Sequence, residues 1–157
     1  MKKILLIIGL LICGIFTTNA QDISDNAIGI RFGDNSGFGG EISYQRKLSE
    51  VTRLELDLGL RSSKNVDSFI LTGIYQWVWN IGGDRGFNWF AGIGGGIGSW
   101  KVNDNSNTVV FAAGNIGIEY DFDIPLLISL DYRPEIGFND AYDGFNSDIA
   151  LGLRYQF

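Results

Sequence analysis

Histidine is missing from all 157 residues, and with it the side chain that most often moves a proton near neutral pH. Cysteine occurs once, at Cys13, and proline twice, at Pro125 and Pro134. Positive charge is scarce as well: 12 Lys and Arg stand against 18 Asp and Glu, a formal net charge of -6, so no basic face suited to nucleic acid is expected. Long apolar runs are almost absent. The one at residues 4–16 is shorter than the roughly 20 residues that cross a bilayer as a helix.

That short run sits where a targeting signal would be. Lys2 and Lys3 precede it and Thr18-Asn19-Ala20 follows, the small residues that a signal peptidase requires. The pattern predicts a cleaved signal peptide over residues 1–20 and a single mature domain over residues 21–157. A helical anchor is the competing reading, disfavoured by length. A lipoprotein signal is another, disfavoured because Ile12 is bulky and Cys13 lies inside the apolar run. Cleavage removes the only cysteine, so the mature chain forms no disulfide.

What the chain has instead is alternation. Ile149, Leu151, Leu153, Tyr155 and Phe157 share one face, while Asp148, Ala150, Gly152, Arg154 and Gln156 share the other. Leu54, Leu56, Leu58 and Leu60 oppose Arg53, Glu55, Asp57, Gly59 and Arg61 in the same way. Ala112, Gly114, Ile116, Ile118, Tyr120 and Phe122 likewise oppose Ala113, Asn115, Gly117, Glu119 and Asp121. Extended to the weaker segments, this period of two predicts strands at 26–34, 37–48, 52–62, 68–80, 87–100, 109–122, 126–138 and 145–157, with boundary errors of two to four residues. Turn-forming residues separate them, and no linker or second domain interrupts them. The fold class expected is all-β: an eight-stranded antiparallel up-and-down barrel.

A secreted lipocalin-like barrel would alternate too, with its apolar face inward. Three features favour an apolar face turned out to lipid. The polar face carries Gly92, Gly94, Gly96 and Gly98, which a watery surface does not need but a narrow lumen does. The apolar faces stay almost free of charge over about nine to eleven residues, the span of a tilted strand in hydrocarbon. Aromatic residues also gather at strand ends: Tyr44, Trp77, Trp79, Trp89, Tyr120, Phe122, Tyr155 and Phe157 all fall at one level of such a barrel. Rings there form an interfacial girdle, body in hydrocarbon and polar edge in water. The location expected is the bacterial outer membrane, the surroundings outer-membrane lipid, and the state a monomer.

With its signal, its alternating strands and its ending Leu151-Gly152-Leu153-Arg154-Tyr155-Gln156-Phe157, the chain resembles the small outer-membrane β-barrel superfamily typified by OmpX and the OmpA transmembrane domain. Phe122-Asp123-Ile124-Pro125-Leu126 and Asp131-Tyr132-Arg133-Pro134 resemble segments of its compact porin-like members. The resemblance implies that Tyr155 and Phe157 serve as an assembly signal, with the barrel-assembly machinery as partner during biogenesis. The connections on the outer side are shorter than the long loops of many relatives, which counts against adhesion through loops.

Inward positions should carry the charges: Arg31, Arg53, Arg61, Arg133 and Arg154 with Glu41, Glu55, Asp57, Glu119, Asp121, Asp131, Glu135 and Asp148. Charges in a narrow lumen must be paired, hydrated or neutralised, so a structural network is expected in place of a catalytic pair. Arg154 is expected to pair with Asp131 on the adjacent strand. Barrel-type hydrolases and acyltransferases share the architecture, but as families they use a histidine that this chain lacks; no catalytic residue, cofactor or metal is expected. The glycines at 92–98 do not match a phosphate-binding loop and lie within a strand. They leave room for Phe111, Arg53 or another side chain, or line a small pocket. Asn103-Asp104-Asn105-Ser106-Asn107 lacks the later bidentate Glu of a calcium loop. Two functions stay open: a structural or surface-interaction barrel with a plugged lumen, in which Phe90, Trp100 and Phe111 obstruct flow, or a barrel that admits or binds a small solute.

Overall fold

Period-two patterning with apolar residues on one face stabilises strands only if every backbone edge finds a partner, and closure into a barrel meets that condition. The computed structural model describes residues 23–33, 39–63, 66–81, 86–102, 105–139 and 142–157, apart from the side chains at 61–63, 66–67, 100–102, 105–106, 139 and 142–143. Residues 1–20, where the signal is expected, lie outside this set. Eight strands follow in order: β1 (Asn26–Gly33), β2 (Glu41–Ser49), β3 (Thr52–Ser63), β4 (Val66–Asn80), β5 (Phe87–Val102), β6 (Asn105–Asp121), β7 (Leu126–Asn139) and β8 (Tyr142–Gln156). Each pairs antiparallel with its sequence neighbour, and β1 pairs with β8 to close the barrel.

The largest departures from the predicted boundaries have local causes. β2 begins at Glu41, four residues later than the alternation suggests, because Gly39 adopts a positive φ of 69° that breaks the extended backbone. β6 begins four residues earlier than expected, since its ladder with β5 continues to Val102 opposite Asn105. The polar run at 105–108 is therefore strand and not turn.

The ladder is staggered. Stepping across paired positions from Ile28 through Tyr44, Leu56, Gly73, Gly95, Ala112 and Ile136 leads to Phe145, ten residues from Tyr155, the partner of Ile28 on the closing side. Such a stagger tilts the strands against the barrel axis. One end, here the near end, holds Asn26 and Phe157 together through Asn26 N–H to Phe157 O at 3.1 Å and Phe157 N–H to Asn26 O at 2.9 Å.

Burial follows the alternation, inverted relative to a soluble protein. Ile28, Ile30, Leu56, Leu60, Ile93, Ile97, Ile116, Leu130, Ile149 and Leu151 are exposed, whereas Arg31, Arg53, Arg133 and Arg154 are each no more than 1% exposed. The outward row of β7 runs apolar from Leu126 to Phe138. At about 3.3 Å per residue and a tilt near 40°, that row spans roughly 30 Å.

Candidate functional site

Among the described residues the lumen concentrates the charged side chains, and four arginines organise it. Arg31 of β1 reaches three carboxylates: Nε and Nη2 donate to Asp131 at 3.1 and 2.6 Å, and Nη1 donates to Glu41 at 2.9 Å and Asp148 at 2.7 Å. Arg133 of β7 donates through Nη1 to Glu41 at 3.2 Å and through Nη2 to Asp57, with Glu55 3.7 Å away. Arg53 of β3 grips Glu119 with both terminal nitrogens, at 3.0 and 2.6 Å, while its Nε donates to Gln76 at 2.7 Å. The same guanidinium lies 5.0 Å from the centroid of the Phe90 ring, a cation–π contact. Bidentate charge-assisted bonds of this kind suit the planar fork of arginine.

Arg154 does not pair with Asp131, contrary to the sequence expectation. Its Nη2 donates to Glu55 at 3.0 Å, Nε to Ser43 at 2.9 Å and Nη1 to Ser129 at 2.8 Å, while Asp131 is taken by Arg31 and by Asn115 Nδ2 at 3.3 Å. The physical reason is reach. An arginine side chain crosses a narrow lumen and meets β2 and β3 as easily as the neighbouring β7. A reversible-unfolding cycle should therefore give a coupling of at least about 0.5 kcal/mol for Arg154→Leu with Glu55→Leu, and additivity within about 0.5 kcal/mol for Arg154→Leu with Asp131→Leu. The reverse result would reinstate the adjacent-strand pair.

Neutral side chains that sequence reasoning passed over join these pairs. Gln45 Nε2 donates to Glu55 at 2.5 Å, and Gln76 Nε2 donates to Asn115 Oδ1 at 2.7 Å. Hydrogen bonds through Glu41, Asp131, Asn115 and Gln76 join Arg31, Arg133 and Arg53, and Arg154, held by Ser43, Ser129 and Glu55, meets them where Glu55 approaches Arg133 at 3.7 Å. Their signal was parity: each occupies an inward position of its strand. Glu135 is buried beside this set. Asp121 lies at the near end, half-buried, and the side chain of Arg61 is outside the described residues.

Inward glycines make the space. A Cβ on Gly152 would strike the guanidinium of Arg154 and the hydroxyl of Ser129, one on Gly117 would come within 2.5 Å of the Phe90 ring, and one on Gly96 would strike the ring of Phe111. The glycine-rich strand β5 is thus a thin wall against which Phe111 packs, in a cluster with Ile70, Ile74, Val109 and Ala113. A second apolar cluster, Ile23 with Val78 and Phe90, fills the lumen near the end that holds Asn26. Ile23 precedes the first strand and was not foreseen as an interior residue. Behind it remains a cavity of about 10 Å³ lined by Ala27, Gln45, Arg53, Glu119 and Leu127 among others, roughly the room of one water.

Aromatic rings encircle the outside of that same end. Trp79 stacks on Trp89 at a centroid distance of 4.3 Å, Tyr120 meets Phe122 edge-on at 4.6 Å, and Tyr155 lies parallel to Phe157 at 6.3 Å. Trp77 meets Tyr75 at 4.8 Å, and the Tyr44 hydroxyl donates to Asn26 Oδ1 at 2.8 Å. Outward rings at one level, an apolar wall of bilayer height and a charged, buried lumen form a set that a water-soluble barrel does not combine.

Solved structures share this architecture. Neisserial surface protein A (NspA) aligns at a TM-score of 0.52 and 12% identity, covering 84% of this chain and 94% of its own. Ail, the attachment invasion locus protein of Yersinia pestis, aligns at 0.51 and 15% identity, covering 85% and 97%. The fold is that of the small outer-membrane β-barrels. No family model matches the sequence, and no curated protein does. At these identities the likeness to the outer-membrane barrels lies in the fold: eight strands and closure.

Proposed function

We propose that this chain is an integral outer-membrane barrel with a closed lumen, serving envelope structure or surface interaction and performing neither conduction nor catalysis. The observation that carries the reading is the interior set of arginines and carboxylates, bonded across the lumen and flanked by apolar clusters. The lysines, apolar run and small residues at 1–20 support export through a cleaved signal, and the ring of outward aromatics supports residence in a bilayer. The aromatic ending at Tyr155 and Phe157 supports recognition by the assembly machinery. Two structural neighbours carry the words surface protein and attachment invasion in their names, which favours a surface role over a metabolic one. At the far end residues 34–40 separate β1 from β2, and two residues each, 64–65, 103–104 and 140–141, separate the other three strand pairs, so such a role would use short connections and not long loops.

Conductance decides between this reading and solute transport. Folded protein in a planar bilayer should give no steady single-channel steps, because eight-stranded interiors are filled by side chains while open channels belong to barrels of about sixteen strands. Steady, ion-selective steps would replace this reading with the transport alternative.

A further inference from the structure

At the near end the barrel does not finish flat. Residues around the β6–β7 turn and the entry to β1 enclose an open basin of about 460 Å³, within the size range of small-ligand pockets. Its floor holds Ile23 and Gln156, both buried, and its outer side holds Phe122 and Phe157 of the aromatic girdle. One part of its wall is apolar, built from Phe122, Ile124 and Pro125, with Ile124 60% exposed. The rest carries Asp25, Asp121 and Asp123, and no lysine or arginine is among the residues that line it.

An apolar wall facing three carboxylates with no internal cation is an unbalanced surface. Of the nearby arginines among the described residues, Arg53 is committed to Glu119 and Gln76, and Arg46 donates to Asn26 Oδ1 at 2.8 Å. Complementary charge steers association and fixes register, and the apolar wall adds non-directional burial.

We propose that this basin is a docking site for a protein segment bearing lysine or arginine next to an apolar side chain, presented from the compartment the near end faces. The cationic group meets Asp25, Asp121 and Asp123, and the apolar side chain lies on Ile124 and Pro125. This goes beyond the closed-lumen reading, since it concerns the rim and survives whether or not the lumen conducts.

The test uses the mature barrel refolded in phosphatidylcholine nanodiscs, with a fluorescent Lys-Leu-Lys-Leu amide peptide as probe and anisotropy as readout. Binding should saturate and weaken as salt rises. Asp25→Asn with Asp123→Asn, both exposed positions, should weaken it by roughly tenfold or more, and Ile124→Ser should weaken the peptide but not spermidine, which has charge without an apolar side chain. Equal affinity of wild type and the double Asn variant would overturn the proposal. So would spermidine binding as tightly as the peptide, which makes the site one for small polycations. Tighter binding after removal of residues 21–22 would also overturn it, by assigning the basin to the chain's own start. Loss of peptide binding when phosphatidylethanolamine replaces phosphatidylcholine would assign it to a lipid headgroup instead.

Discussion

Replacing Arg31 by leucine is expected to destabilise the barrel by about 3 to 5 kcal/mol, the range found when one partner of a buried ionic cluster is removed. Arg31 is 1% exposed and answers Asp131, Glu41 and Asp148 at once, so its loss takes a cation from three buried carboxylates. Leucine fills part of the volume but answers none of that charge. Asp148→Leu is the informative companion, because Arg31 then keeps two carboxylates; its effect should be clearly smaller. Urea unfolding in detergent micelles, followed by tryptophan fluorescence, measures both. A loss of about 1 kcal/mol or less for Arg31→Leu would place the cluster in the class of hydrated surface pairs and dissolve the closed-lumen account. Raised salt should change the result little, since buried pairs are screened weakly.

The second large effect lies in the apolar part of the lumen. Phe111→Ala should cost about 3 to 5 kcal/mol, since the ring is 3% exposed and its removal opens a void beside Gly96. Gly96→Val alone should also destabilise, by about 1 to 3 kcal/mol, through collision of the new side chain with that ring. Combined, the two changes compensate: the valine occupies part of the space the ring leaves. The double variant is therefore expected to be more stable than the sum of the single losses, with a coupling of about 0.5 to 3 kcal/mol. Strict additivity in the same unfolding measurement would show that Phe111 does not rest on Gly96.

Much of this architecture was legible in the sequence because the lipid environment writes a simple rule. Outward positions must be apolar, so parity alone assigned Leu54 to Leu60 and Ile149 to Phe157 to the wall and placed Arg31, Arg53, Arg133 and Arg154 inside. The wall is also regular enough that all eight strands fell within four residues of their expected bounds. The interior obeys no such rule. Arg154 and Asp131 face inward on adjacent strands, yet which carboxylate a long side chain meets depends on stagger and on where a glycine opens space, as Gly152 does for Arg154. Ile23 was illegible for another reason: it lies outside the alternating segments, and only the finished near end gives it a place beside Val78 and Phe90. The basin at that end is similarly assembled from a turn, a strand end and the entry segment, which share no pattern along the chain.

The bonds that join the lumen are also far apart along the polypeptide. Arg31 meets Asp131 across 100 residues and Asp148 across 117, and Arg154 meets Ser43 across 111. Contacts of such separation cannot form in a growing hairpin; they require β8 to arrive beside β1, and loop closure on that scale slows folding. Before that seam zips, the first strand carries a cation whose distant anions are still elsewhere, and hydrocarbon is a poor place for it to wait. Until then Glu41 of the neighbouring β2 is the acid that local pairing supplies to Arg31, so the interior pairing is expected to be completed only when β8 closes on β1.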